Sequence, residues 1–129
     1  MTDKPNLADV RRVTEAATGG PWAVPGFGDP LLGPSDVCTE GEPGYRHIIC
    51  EGAGHDAEFI AASRTLVPAL LAAVDAVLAL HQPCNVGGKQ LCEYCTATGD
   101  PFCTPDGTDE WPCPTVRAIT AHLDIEEQR

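Results

Sequence analysis

Basic residues are scarce in this 129-residue chain: 8 Lys and Arg stand against 19 Asp and Glu, a formal net charge of -11. A surface of that sign repels phosphate backbones and anionic lipid headgroups, so nucleic acid and charged membranes are excluded as first expectations. Its simplest role is solvation. The sharper one is to meet a basic protein, or to imitate nucleic acid toward one. Aromatic residues are scarce as well, at 5%, so a core drawn from the 43% hydrophobic content must be built of Ala, Val and Leu and is thin. Long apolar runs are missing. The longest, Leu66 to Leu80, contains Pro68 and Asp75 and is too short and interrupted to predict a bilayer span. The opening stretch, Met1 to Asp9, has no apolar segment of the secretory kind, and the expected location is cytoplasmic.

Cysteine, by contrast, is abundant. Seven is a high and odd count for a reducing compartment, where disulfides rarely persist, and metal ligation explains it better. Cys92-Glu93-Tyr94-Cys95 has the spacing that lets two thiolates from one tight turn approach a tetrahedral ion.

The length predicts one α+β core over residues 1–80, with a metal-stabilised knuckle and terminal helix over 81–129 packed on it. Asn6 can cap a helix over Leu7 to Thr18, stopped by Gly19-Gly20-Pro21. Trp22-Ala23-Val24 reads as a short strand. Val37-Cys38-Thr39 and Tyr45 to Cys50 flank Gly41-Glu42-Pro43-Gly44 and read as a hairpin. The register pairs Cys38 with His47 and Val37 with Ile48, leaving Val37, Ile48 and Cys50 on the core face. Asp56 can cap a second helix. Thr65 and Pro68 look like the cap and first turn of a third reaching Leu80, so the long helical segment is expected to bend or break near Leu66. Ile60, Ser63, Val67, Leu70, Val74 and Val77 keep helical spacing, most simply as core and alternatively as a coiled-coil seam. No periodicity organises His81 to Trp111, and an irregular connection of that length needs something to fix it. Pro114 then opens a last short helix with Val116, Ile119 and Leu123 on its apolar face.

The fixing element is expected to be zinc. Cys113 at a helix start has its thiolate favoured by the helix dipole, and His81 at the end of the preceding helix is a suitable further donor to Cys92 and Cys95. Cys84 and Cys103 each lie eight positions outside the Cys-x-x-Cys pair, and either can replace His81 or Cys113. A structural ion contributes roughly 10 to 16 kcal/mol of apparent binding free energy, enough to order the segment unaided. Cys38, His47, Cys50 and His55 suggest a second site, but the strand register sets Cys38 and Cys50 on opposite faces. A thioredoxin-like redox pair would expect a βαβ setting, and a zinc deaminase a His-x-Glu with Pro-Cys-x-x-Cys; both are absent. The Cys92 to Cys113 segment has no basic residue, which argues against a nucleic-acid finger.

Three segments carry a family likeness: Thr14-Glu15-Ala16-Ala17-Thr18-Gly19-Gly20-Pro21-Trp22-Ala23-Val24, then Asp56 to Ala61 with Arg64 to Leu71, and finally Trp111-Pro112-Cys113-Pro114-Thr115-Val116-Arg117-Ala118-Ile119. The first two resemble an Ead-like phage family, within a group of small proteins encoded by actinobacteria and their phages. The last resembles a zinc-knuckle-like ending preceded by a His and a Cys-x-x-Cys. Across about half the chain, the resemblance implies His81, Cys92, Cys95 and Cys113 as the ligand set. It also implies a phage or prophage accessory role in the host cytoplasm, with a host or phage protein as partner. The extra cysteines at 38, 50, 84 and 103 depart from that pattern. With no catalytic triad or paired carboxylates, the expectation is a non-enzymatic accessory or interaction protein with structural zinc. The alternatives are an acidic regulator or nucleic-acid mimic that binds a basic host protein, and a metal- or thiol-dependent enzyme.

Overall fold

The structure is a computed structural model and describes residues 4–26, 29–98 and 110–125. It mixes helices with antiparallel strand pairs. By its contacts the chain divides into two compact units, Val13–Leu70 and Met1–Arg12 with Leu71–Arg129.

The first helix, α1, is Leu7–Ala16. It starts where expected because the Asn6 side-chain oxygen accepts from the N–H groups of Ala8 and Asp9, at 2.9 and 3.2 Å.

Within Val13–Leu70, strands β1 (Trp22–Ala23), β2 (Val37–Thr39) and β3 (Ile48–Cys50) form an antiparallel sheet in that order. The predicted hairpin is present, in a different register. Val37 faces Cys50 and Cys38 faces Ile48, with an irregularity between them, and the Thr39 N–H donates to the His47 carbonyl at 2.9 Å. Ile49 is the extra residue, and it changes which side chains face inward. Ile48 is exposed, while Ile49 and Cys50 pack with Val37, Ala57 and Ala61. Cys38 is buried as well, so β2 is covered on both faces. Carboxylates tie the loops. Asp36 accepts from the N–H groups of Gly33 and Gly52, at 2.7 and 2.8 Å. Buried Asp29 accepts from Leu31 and Gly44 and pairs with Arg46. Arg64 donates to the Thr18 carbonyl at 2.9 Å and lies so close under Gly20 that a Cβ there would come within 2.6 Å of it; only glycine fits this approach.

The predicted break near Leu66 is absent: α2 is one helix, Ala57–Leu80, with Pro68 inside it, entered through a 3-10 turn at Gly54–Asp56. Proline removes one backbone hydrogen bond. Apolar anchors on both sides of it, Ala57 and Ala61 before and Leu71 and Leu78 after, keep the helix continuous. The same continuity joins Phe59–Ala62 to the apolar run beyond Arg64. Gly54 to Leu80 is long and apolar enough to cross a membrane by length and composition, with a mean hydropathy of 1.6 over its most apolar 18 residues, although little of that stretch is buried.

Within the other unit, β4 (Pro83–Val86) and β5 (Lys89–Cys92) form a hairpin closed by Gly87 and Gly88, whose φ values are 58° and 82°. Two successive positive φ angles make the turn whose twist matches the strands. Helices α3 (Glu93–Thr98) and α4 (Pro114–Thr120) follow. Leu7 donates its N–H to the Asp124 carbonyl, and Asp124 donates to that of Pro5. Arg11 forms an ion pair with Asp75.

Candidate metal centre

Four chain segments converge on one point. The His81 N–H donates to the Val77 carbonyl at 3.1 Å, so the residue continues α2 by one position beyond its last turn. Cys92 ends β5, Cys95 lies in the first turn of α3, and Cys113 is the N-cap of α4, followed by Pro114. The hairpin is aligned from outside: Glu93 donates its N–H to the Gln82 carbonyl at 2.8 Å, and Trp111 donates to that of Gln90 at 3.0 Å. These bonds carry Cys92 to the end of α2 and bring the approach to Cys113 alongside β5.

The donor atoms of His81, Cys92, Cys95 and Cys113 all lie within 4.8 Å of one another, and all four residues are buried. The His81 Nδ1 is 3.3 Å from the Cys92 Sγ, 3.7 Å from the Cys95 Sγ and 3.4 Å from the Cys113 Sγ. A tetrahedral ion with metal–sulfur bonds of 2.3 Å and a metal–nitrogen bond near 2.05 Å would set each nitrogen–sulfur edge at about 3.6 Å. Hydrogen bonding alone accounts poorly for the arrangement, because one ring nitrogen has one lone pair and three sulfurs surround it. Tyr94 meets the imidazole edge-on, with ring centres 5.0 Å apart, and steadies its plane. The donors sit in an apolar shell of Leu7, Leu78 and Val116, with Leu71, Val74, Trp111, Ile119 and Ile125 packed around it.

Burial pushes the Cys92 thiol up; the N–H groups of Cys95 and Tyr94 pull it down, and the neighbouring Cys113 thiol pushes it up. Desolvated thiolates of this kind need a cation to offset the cost of their charge. Cys92 and Cys113 are free thiols, whereas the Cys95 sulfur is engaged in a disulfide, a departure from the expectation of unpaired cysteines. Only the reduced thiolate ligates, so that bond and an occupied centre exclude each other.

The alternatives separate clearly. Cys84 faces Leu91 across the hairpin, while its neighbour Pro83 faces Cys92. Alternation therefore turns Cys84 to the other side of the ribbon, away from the donors. Cys103 lies outside the described residues. Among the described residues, Cys38, His47, Cys50 and His55 form no second donor group. The Cys38 thiol donates to the Ala23 carbonyl at 3.5 Å, and burial pushes its pKa up. Tyr94 and the hairpin that carries Cys92 were missed from the sequence; the signal was Gly87-Gly88 between two short runs.

No family model, no curated protein and no solved structure matches this chain. The site therefore rests on its own geometry: a buried donor group of one imidazole nitrogen and three cysteine sulfurs, spaced to hold a metal ion.

Proposed function

We propose that the chain is a non-enzymatic accessory or interaction protein whose C-terminal part is organised by structural zinc. The observation that carries this is the convergence of one imidazole nitrogen and three cysteine sulfurs from four separate segments, all buried. Soft thiolates with one imidazole select zinc among the common divalent ions, and four protein donors complete its tetrahedron. A closed tetrahedron has no position for substrate or water, which weighs against catalysis by the ion. Coordination through the His81 Nδ1 would leave the ring proton on Nε2. The ion would clip the end of α2, the β4–β5 hairpin, α3 and α4 into one piece.

The net charge of -11 favours a basic protein as partner over nucleic acid or an anionic membrane. This is also what supports the second reading, an acidic regulator or nucleic-acid mimic. A phage or prophage role in the host cytoplasm is supported by the sequence resemblance.

The test is elemental analysis of protein purified under reducing conditions without added metal. About one zinc per chain is expected. A chelator should remove it and abolish amide-exchange protection over residues 81–98 and 110–125, since the ion's roughly 10 to 16 kcal/mol matches the stability of a whole domain. Metal-free protein with full protection there would refute the reading.

A further inference from the structure

The described structure buries one side of α2 and exposes an apolar line on the other. Ala57, Ala61 and Leu78 are buried and Leu71 is half-buried. Diametrically opposite run Phe59, Ala62, Leu66, Ala69, Ala73, Ala76 and Leu80, all exposed. Their spacing alternates three and four over three heptads, the 3.5-residue repeat that keeps a seam facing a second helix. Phe59, Leu66 and Leu80 are 78%, 57% and 55% exposed, and Leu70 beside the line is 64% exposed. Side chains of this size at these exposures leave on the order of 600 Å² uncovered per chain once the alanines are included.

We propose that this line is the seam of an antiparallel homodimer, in which two copies of α2 pair about a twofold axis at Ala69. The size pattern selects the direction. In a parallel pair like meets like, so Leu66 would meet Leu66, while Ala69, Ala73 and Ala76 would stack as three successive thin layers. Antiparallel pairing centred on Ala69 sets Leu66 against the partner's Ala73, Ala62 against the partner's Ala76, and Phe59 against the partner's Leu80. Leu66, the one large side chain near the middle, then meets a small one, as close packing favours, and Phe59 and Leu80 meet at the two ends. Opposed helix dipoles favour the same direction. At most about 1,200 Å² could be buried across the pair, the lower edge of specific interfaces, so the dimer is weak and its population depends on concentration.

A second copy fits better than a bilayer, which needs an apolar circumference. The inner side of α2 is committed to polar contacts, with Arg64 bonded to the Thr18 carbonyl and Asp75 paired with Arg11. Buried in hydrocarbon, these groups would be costly, whereas a second helix needs only the one face. The seam carries no charged residue and uses none of the four metal donors.

The test is sedimentation of the full chain over a concentration range of about 1 µM to 1 mM, which covers the dissociation constants of weak interfaces. The mass should rise from one chain toward two. Leu66→Glu, and separately Ala69→Trp at the axis, should weaken association at least about tenfold. Both should keep wild-type helicity and zinc content, so failure here is distinguishable from failure of the metal reading. A photo-crosslinking benzoylphenylalanine in place of Leu66 should capture the segment around Ala73. A monomer throughout, a dimer indifferent to Leu66→Glu, or a crosslink back to position 66 would overturn the proposal. Flotation of the monomer with phosphatidylcholine–phosphatidylglycerol vesicles, abolished by Leu66→Glu, would overturn it in favour of a membrane surface.

Discussion

The two units of this protein solve the problem of a thin core in different ways. Residues 13–70 bury Val37, Ala57 and Ala61 and tie their loops with carboxylates that accept backbone N–H groups. The unit of residues 1–12 and 71–129 centres its core on Cys92, Cys95 and Cys113 around His81, with Leu7, Leu78 and Val116 outside them. One is held by many small contributions. On the proposed reading the other would draw much of its stability from a single group of donors, because its short helices and two-stranded hairpin have little apolar surface to bury together.

The sharpest way to break the comparison is to remove one donor. Cys113→Ser should lower zinc affinity by more than about 100-fold, since losing outer-shell support alone costs 10- to 100-fold. Competition with a chromophoric chelator would measure it. Amide exchange should rise over 81–98 and stay protected over 37–39 and 57–61. Equal loss in both units would show that they are not separately held.

Val37→Ala is the complementary cut. It removes two methyl groups from a side chain with no exposure and should cost about 2 kcal/mol in denaturant unfolding of residues 13–70. Zinc content should not change.

Acid separates the carboxylate clamps from the rest. The Leu31 N–H, with further help from Gly44 and Arg46, holds the Asp29 carboxyl below its ordinary value of 3.8, against the opposing effect of burial. The Gly52 and Gly33 N–H groups do the same for Asp36. A folded-state value below the unfolded one stabilises the fold above the unfolded pKa, and that stability is lost as pH falls through the folded value. Unfolding of residues 13–70 should therefore show stability that is flat above about pH 5 and declines from pH 3.8 downward. Asp36→Asn should flatten part of that slope in a pH series of urea melts.

The smallest effect is expected at the turn. Gly88→Ala forces a side chain to φ 82° and should cost about 1 kcal/mol. It should slow metal uptake in stopped flow, because it disfavours the hairpin that delivers Cys92.

Much of the centre was legible beforehand. Cys-x-x-Cys, a histidine ending one helix and a cysteine opening another are local signals, and each element forms where its caps and prolines put it. His81 was expected from the family resemblance, but spacing alone left Cys84 open, because setting it aside takes hairpin alternation and the hairpin itself was read as irregular. The sheet register failed for a similar reason: counting loop residues cannot reveal an extra residue at Ile49. The six-residue stripe on α2 was right in part: Ile60 and Val74 pack against the buried clusters, but the stripe lies to one side of the buried face. It put Leu70 in the core, whereas the anchors on the described inner face are Ala57, Ala61, Leu71 and Leu78. In a helix apolar on nearly every side, periodicity cannot say which side is covered.

What the sequence determined by itself is the chemistry on offer: an acidic surface, an aliphatic core, helix starts at Asn6 and Pro114, and sulfur in excess of what a fold needs. These follow from composition and from interactions reaching at most four residues along the chain. Tertiary structure decided which four donors meet, which face of α2 stays bare and which thiol is buried, because each depends on where distant segments come to lie.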